Sequence, residues 1–254
     1  MSLRHTLVNI ICGFVPGKKA RTRVRVFLMY PVAFSYVRYV KRWARENCGG
    51  VRSLSMAFGV GCRNLVVVLN KEYVFKFLLV KRENPALREE RIVNALRRVS
   101  PLISPKMEVI DWNGVLVRRY DFVHGKLLCD FAPSEIFAHQ EKIAKQLAEF
   151  MYKIGCADPK SIRDLKPDPD AAPGYMYGWF HNDIGNNCML DDDMNIVGFI
   201  DCDKTAFCDF RISLPYANHH WDKHGFKGLM VHTLYEYSNL YFAKQKTSGG
   251  SKCQ

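Results

Sequence analysis

The sequence predicts an α+β fold: a strand-rich part built around one main helix, then a mostly helical C-terminal part, with a basic N-terminal extension ahead of both. Three observations lead there. Between residues 51 and 120, short apolar runs alternate with turn residues at strand spacing and are interrupted by one helical period. From Pro133 onward, helix-start chemistry and helical spacing dominate. Hydrophobic residues make up 48% of the chain and charged residues 24%, which excludes disordered, collagen-like and disulfide-scaffold classes. A chain of 254 residues holds one or at most two domains. The divisions expected are 1–50 (basic, aromatic extension), 51–120 (strand-rich part), 121–245 (helical part) and 246–254 (polar tail, expected to be disordered).

In order along the chain, Val32 to Arg45 reads as a helix. Phe34, Val37, Tyr39, Val40 and Trp43 lie along one side, and Arg38, Lys41, Arg42 and Arg45 lie towards the other. Gly49 and Gly50 end it. Strands are expected at Leu54 to Gly61, Asn64 to Leu69 and Tyr73 to Val80, with Asn70 and Lys71 turning the second into the third. A helix near Pro85 to Val99 follows, then strands at Lys106 to Asp111 and Val115 to Tyr120. Pro133 and Ser134 open one amphipathic helix running to about Tyr152, with Ile136, Ile143, Leu147, Phe150 and Met151 at helical spacing. After a Pro/Asp-rich loop, Ala157 to Gly174, the stretch His181 to Asn187 reads as a loop before two short strands, Cys188 to Leu190 and Ile196 to Ile200. The remainder is expected to be mostly helical, with Leu229, Leu234, Tyr237, Leu240 and Tyr241 in the core.

Charge is unevenly placed. The total is +12, and residues 1 to 50 hold ten Lys and Arg against one acid, Glu46, so +9 sits in the first fifth of the chain. Nine scattered cysteines without a CxxC pair fit neither a complete disulfide framework nor a zinc ribbon and point to a reducing compartment. The longest apolar stretch, Phe27 to Val37, contains Pro31 and falls short of the roughly 20 residues of a membrane span. Leu7 to Val15 has no small-residue cleavage site after it, so the expectation is an uncleaved cytoplasmic protein.

Two groups of residues could carry chemistry. Lys76, inside Val74-Phe75-Lys76-Phe77, needs an anionic partner or a route to water. Either it is an edge-strand lysine reaching solvent or it binds phosphate. Glu89 shares a helix face with Ile92, Val93 and Leu96 and is the better candidate partner, with Glu90 second. Gly59 and Gly61, between two strands, would let backbone N–H groups approach a phosphate, or simply form a turn. The second group is Asp183, Asn187, Asp201 and, secondarily, Asn186, Asp203 and His181. Its two acids and an amide, Asp183, Asp201 and Asn187, supply the hard oxygen ligands that Mg²⁺ takes when it also binds substrate phosphates. The Asp191 to Asp193 run reads as a solvated turn. Asp201 ends the apolar strand Ile196 to Ile200 and is expected at a buried edge.

A glycine turn, a strand lysine, a helical glutamate, an HxD loop with a following asparagine, and a strand-terminal aspartate, in that order, resemble the kinase-like phosphotransferases of the aminoglycoside phosphotransferase and choline kinase type. The resemblance spans roughly residues 54 to 217. It rests on Gly59 to Val66, Tyr73 to Phe77, Arg88 to Leu96, His181-Asn182-Asp183 and Ile200-Asp201-Cys202-Asp203. It implies a two-lobed fold, protein-kinase-like, with ATP in the cleft. Lys76 would meet the α/β-phosphates and Glu89. Asp183 would accept or orient the acceptor's proton, Asn187 and Asp201 would hold Mg²⁺, and Arg119, Tyr120 and Phe122 would lie on the hinge strand against adenine. The sequence departs from the family twice. The family's metal-binding Asn stands five residues after the catalytic Asp, where this chain has Cys188. Near Asp209, Cys208 and Phe210 replace the usual neighbours, and Ser213 stands where an aspartate is common. Lys76, Asp183 and Asp201 all persist, which favours an active enzyme.

The acceptor is not named by that set. Ile10 to Lys19 with Arg21, Arg23 and Arg25 is similar to the opening of peripheral bacterial proteins that build lipopolysaccharide or capsule. An apolar run beside dense basic charge also suits an anionic membrane surface, placing contact within residues 1–45. The expectation is therefore a kinase for a sugar hydroxyl of a surface glycan at the inner membrane face. The alternatives are a bacterial protein kinase and a soluble small-molecule kinase, for which the loop Asp158 to Asp170 could supply an acidic pocket. A nucleic-acid-binding module ranks last.

Overall fold

The computed structural model describes residues 3–58, 63–80, 83–174, 176–211, 232–239 and 243 of the chain. It divides into two compact units: residues 1–84 with 108–122, and residues 85–107 with 123–254. This division places residues 1–50 with the strands, and it places the helix at 86–96 in the second unit. Gly59, Gly61, Ser213, Leu229, Leu240, Tyr241 and the tail from Lys244 lie outside the described residues.

The first unit is three helices and a five-stranded antiparallel sheet. The helices are α1 (Leu3–Gly13), α2 (Lys18–Met29) and α3 (Val32–Asn47). The strands β1 (Leu54–Phe58), β2 (Asn64–Leu69), β3 (Tyr73–Leu78), β4 (Met107–Trp112) and β5 (Val115–Asp121) are ordered β1-β2-β3-β5-β4. Asn70 and Lys71, both with φ near +57°, turn β2 into β3 in a primed turn closed by the Glu72 N–H donating to the Leu69 carbonyl at 3.0 Å, with Glu72 as an extra residue before the Leu69↔Tyr73 pair. Asn70 also accepts the N–H groups of Arg52 and Ser53 at 2.8 and 3.0 Å, which fixes the start of β1.

Helix α3 lies along the sheet through Ala33, Tyr36, Tyr39, Val40 and Ala44, packed on Leu65, Val67, Phe75 and Phe77. Tyr36 stacks on Phe77 with centroids 4.5 Å apart, and Tyr39 meets Phe75 and Phe77 edge-on. Phe34, expected on the packed face, is 54% exposed instead. The buried positions step by three and four residues from Ala33, and Phe34 stands one residue, about 100°, off that stripe.

The second unit contains α4 (Ala86–Leu96), which carries Glu89 on its buried side with Ile92, Val93 and Leu96. The helix expected from Pro133 is two, α5 (Pro133–Ala138) and α6 (Gln140–Gly155), broken at His139. Glu135 accepts the Ala132 N–H at 2.8 Å and starts α5. The strands are β6 (Lys126–Leu127), β7 (Tyr177–Phe180), β8 (Cys188–Leu190), β9 (Ile196–Phe199) and β10 (Ala206–Asp209). They form a three-stranded sheet ordered β6-β8-β9 and a β10-β7 pair. The chain after Asp203 was expected to be helical, but β10 pairs with β7 in the register Ala206↔Phe180 to Asp209↔Tyr177. Four residues are too short for alternation to be read as a strand, and the pairing is fixed by Phe207 packing on Trp179. Leu234 is buried as expected, in a helical stretch at 232–239.

Helix α6 is the beam of this unit. Phe150 stacks on Phe199 of β9 at 4.0 Å. Gln146 accepts the Ile196 N–H at 2.9 Å and donates to the Met194 carbonyl at 3.3 Å. The Asp191 run is the β8–β9 turn, closed by Asp191 accepting the Asn195 N–H at 2.7 Å and its amide at 3.0 Å.

Candidate functional site

In the first unit, Lys76 stands on β3, an interior strand of the sheet, and is 3% exposed, so it is not an edge lysine reaching water. Directly opposite on β5 is Arg118, 1% exposed. Cross-strand partners point to the same face, so two buried cations stand side by side there, an arrangement that favours a polyanion. Arg118 also donates to the Asn64 side-chain oxygen at 3.3 Å. Phe75 and Phe77 alternate with Lys76 and face α3.

The expected hinge residues divide between the faces. Tyr120 pairs with Val74 and is buried on the Lys76 side. Arg119 pairs with Phe75, and its guanidinium lies over Trp43 and Tyr73 and bonds Glu108, on the α3 side. The Phe122 N–H donates to the Glu72 carbonyl at 2.8 Å.

In the second unit, β7 ends at Phe180 and delivers His181, Asn182 and Asp183. His181 is buried; its Nε2 lies 3.1 Å from the Ile200 carbonyl, and its Nδ1 accepts the Asp183 N–H at 3.3 Å. This pair of contacts fixes the tautomer with the proton on Nε2. Burial holds the imidazole pKa below its ordinary value, against the pull of the Asp183 and Asp201 carboxylates. His181 is therefore a neutral strut between the two strand ends. Asn182 takes the left-handed conformation, φ +58°, which turns the chain and aims Asp183 back across the strand ends.

Asp183 is mostly buried, and its Oδ2 accepts from the Lys204 ammonium at 2.7 Å. The Asn187 amide donates to the Asp183 carbonyl at 2.8 Å, and the Ile200 N–H donates to the Asn187 carbonyl at 3.0 Å. Residues Ile184–Asn187, expected as loop, form the single helical turn α7. Asn186 belongs to that turn, and its side chain is outside the described residues.

Asp201 follows β9 in the left-handed region, φ +58° and ψ +61°, an uncommon place for a side chain other than glycine's. A short 3₁₀ turn, Cys202–Lys204, comes next, pinned by the buried Cys202 thiol donating to the Ile103 carbonyl at 3.1 Å. That turn presents Asp203 and brings Lys204 onto Asp183. Burial works against the Lys204 charge, but its hydrogen bond to Asp183 and the nearby Asp203 and Asp201 carboxylates outweigh this and raise its pKa.

Thus His181, Asp183, Asn187, Asp201 and Asp203 lie at the ends of β7 and β9, and Lys204 joins them. Its signal was available: a carboxylate placed next to an apolar strand asks for a cation, and Lys204 follows Asp203 directly. Arg118 was likewise passed over, because a cation in a strand adjoining Lys76 becomes visible only through the β3–β5 register. Cys188, at the family's usual Asn position, is fully buried, and burial pushes its thiol pKa up. The one-residue shift therefore leaves Asn187 as the amide beside Asp183.

The donor set fits a hard divalent cation. The Asn187 amide nitrogen is taken by the Asp183 carbonyl, its side-chain oxygen accepts from none of the described residues, and Asp201 supplies a carboxylate. Among the described residues no three His, Cys, Asp or Glu gather as a self-sufficient metal cage. Mg²⁺ held by one or two carboxylates and completed by phosphate oxygens needs no such cage.

The fold is that seen in solved structures of aminoglycoside phosphotransferases. The chain is similar to the GDP and kanamycin complex of APH(2")-IIia, with 13% identity, 82% of this chain and 83% of that chain covered, and TM-score 0.56. It is also similar to the streptomycin-ATP-APH(2")-IIa ternary complex (11% identity, 79% and 82% covered, TM-score 0.54). A third similar structure is aminoglycoside phosphotransferase APH(3'')-Id from Streptomyces rimosus (15%, 80% and 91%, 0.53). No family model and no curated protein matches the sequence.

Proposed function

We propose that the protein is an ATP- and Mg²⁺-dependent phosphotransferase that moves the γ-phosphate to a hydroxyl group. The observation that carries this reading is the Asp183 carboxylate held by Lys204 beside Asn187 and Asp201, at the ends of β7 and β9, in a chain with the fold of aminoglycoside phosphotransferases. Asp183 would take the proton of the attacking hydroxyl, and Lys204 would fix the carboxylate's orientation. Asn187 would hold the Asp183 backbone in place. Lys76, assisted by Arg118 beside it on β5, would neutralise phosphate oxygens. Gly59 and Gly61 would offer backbone N–H groups to them, and Tyr120 would lie towards the base. Asn187 and Asp201 would hold the ion, with Asn186 or Asp203 as secondary ligands. Bound there, Mg²⁺ supplies neutralisation of the charge developing on the transferring group. Positioning and charge neutralisation are most of what phosphoryl transfer asks of a protein.

For the acceptor, we infer a sugar hydroxyl of a membrane-borne glycan on the cytoplasmic side. Helix α1 supports this: Leu7, Ile10 and Ile11, at i, i+3 and i+4, are 52, 55 and 47% exposed, and Phe14, just past its end, is 85% exposed, while Val8 and Cys12 are buried. An outward apolar stripe beside the basic α2 suits the interface of an anionic bilayer. No helix among the described residues is long and apolar enough to cross a membrane. A soluble small-molecule kinase is the second reading, favoured by the aminoglycoside complexes among the similar structures. Against a cationic acceptor stands the loop after α6: Asp158 is engaged by Arg163 and Lys166, and Asp164 by Arg91.

The test is labelled ATP with Mg²⁺ and the purified chain, offered glycolipid, protein and small-molecule fractions of a cell extract. Label is expected in the glycolipid fraction, with Asp183→Asn at least about 100-fold slower. Label on protein or on small molecules would replace the acceptor assignment. No transfer and no thermal stabilisation by ATP and Mg²⁺, where about 2.7 kcal/mol is expected at 100 times Kd, would end the phosphotransferase reading.

A further inference from the structure

On the outer side of α3, away from Lys76, the first unit has a surface hollow of about 430 Å³ lined chiefly by Arg38, Lys41, Arg42 and Arg45, with Tyr39 and Trp112. The four cations stand at i, i+3, i+4 and i+7, so they occupy one strip of the helix and repel one another. Among the described residues none of the four has a hydrogen-bond or ion-pair partner. Elsewhere in the chain the pattern is the opposite: Arg52, Arg91, Arg119, Arg163 and Arg211 each hold a carboxylate. Of the acids near Tyr39, Glu108 is taken by Arg119, and Glu46 forms no ion pair with a described residue, so the strip keeps a net positive charge. Tyr39 and Trp112, with ring centroids 4.7 Å apart, give the hollow a fixed aromatic wall.

We propose that this hollow is a binding site for a compound carrying two phosphate groups, a diphosphate or bisphosphate. Arginine forks grip phosphate oxygens bidentately, and the strip runs about 10 Å along the helix, longer than one phosphate can span. The hollow is of headgroup size, which suits a compact anion rather than a nucleic-acid track. The ligand is either a soluble diphosphate or the phosphorylated headgroup of a lipid. The site is independent of the transfer chemistry proposed above.

Calorimetric titration of the full chain with inorganic pyrophosphate in EDTA tests the soluble source. Flotation with phosphatidylcholine vesicles containing phosphatidic acid, against vesicles containing phosphatidylserine, tests the lipid one. Saturable binding of pyrophosphate, or preferential binding of phosphatidic acid, is expected. It should fall at least about tenfold in Arg38→Gln/Arg42→Gln, whose exposed positions leave the thermal melt unchanged, and persist in Lys76→Met. Binding lost in Lys76→Met but kept in the double variant would assign pyrophosphate to the Lys76 site and overturn this one, while supporting the nucleotide reading. No binding by either probe, equal binding to both kinds of vesicle, or tighter binding of polyuridylate than of pyrophosphate would also overturn it.

Discussion

Lys204 gives Asp183 a defined direction, because an ammonium 2.7 Å from Oδ2 holds the carboxylate against rotation. On the phosphotransferase reading proposed above it positions the carboxylate, so Lys204→Met should lower kcat about tenfold while leaving the nucleotide Kd within about twofold, and Lys204→Arg should restore most of the loss. Equal loss in both variants would mark the lysine as merely structural. His181 makes a second prediction. Its folded-state pKa is depressed by burial below the ordinary value of 6.5, so between those two values the unfolded chain binds the extra proton. Stability is then fully present above about pH 6.5 and declines as pH falls below it. Urea melts at pH 7 and pH 5 should show a drop in midpoint that is smaller in His181→Gln. The residue types at this site were legible in the sequence because carboxylates and amides beside apolar strands are costly without a task. The Asp183–Lys204 pairing was not, since 21 residues and a strand pair separate the partners.

At the scale of elements, the approach of α6 to β7 sets where the Asp183 loop begins. A Cβ on Gly178 would come 1.7 Å from the Gly155 carbonyl oxygen, far inside contact distance, so only glycine lets this strand lie against the end of the helix. Gly178→Ala should therefore lower the melting temperature by many degrees and reduce transfer with it, read by thermal melt and turnover. On the sheet, Tyr36→Ala removes the ring stacked on Phe77 and should cost about 3 kcal/mol by denaturant titration. These two elements show how far periodicity reaches. α3 was legible as a helix from its spacing, yet the spacing placed Phe34 inward, because aromatics at neighbouring phases compete and only the sheet decides which stripe is buried. β10 was illegible, being four residues defined entirely by its partner.

For the whole molecule, the dominant feature is a positive N-terminal region whose helices divide the labour. α3 packs its aromatics on the sheet, and α1 leaves an apolar stripe outward. On the membrane reading proposed above, Ile10→Lys/Phe14→Lys removes two side chains each contributing about 2 kcal/mol when buried, so partition onto anionic vesicles should fall more than about tenfold. Activity on a soluble acceptor should be unchanged. Unaltered vesicle partition in that variant would remove α1 from any membrane contact.

The sequence by itself determined the order of α3, the five strands of the first sheet and α4, the isolation of Lys76 in an apolar strand, and the acids of the HxD stretch and of Asp201. These follow from local spacing and from the cost of placing polar groups among apolar ones. Only the tertiary structure decided that Arg118 stands beside Lys76, that Lys204 closes on Asp183, and that residues 1–50 join the sheet. Register, strand pairing and the choice among competing helix faces arise from contacts between residues far apart in the chain, and no local pattern encodes those.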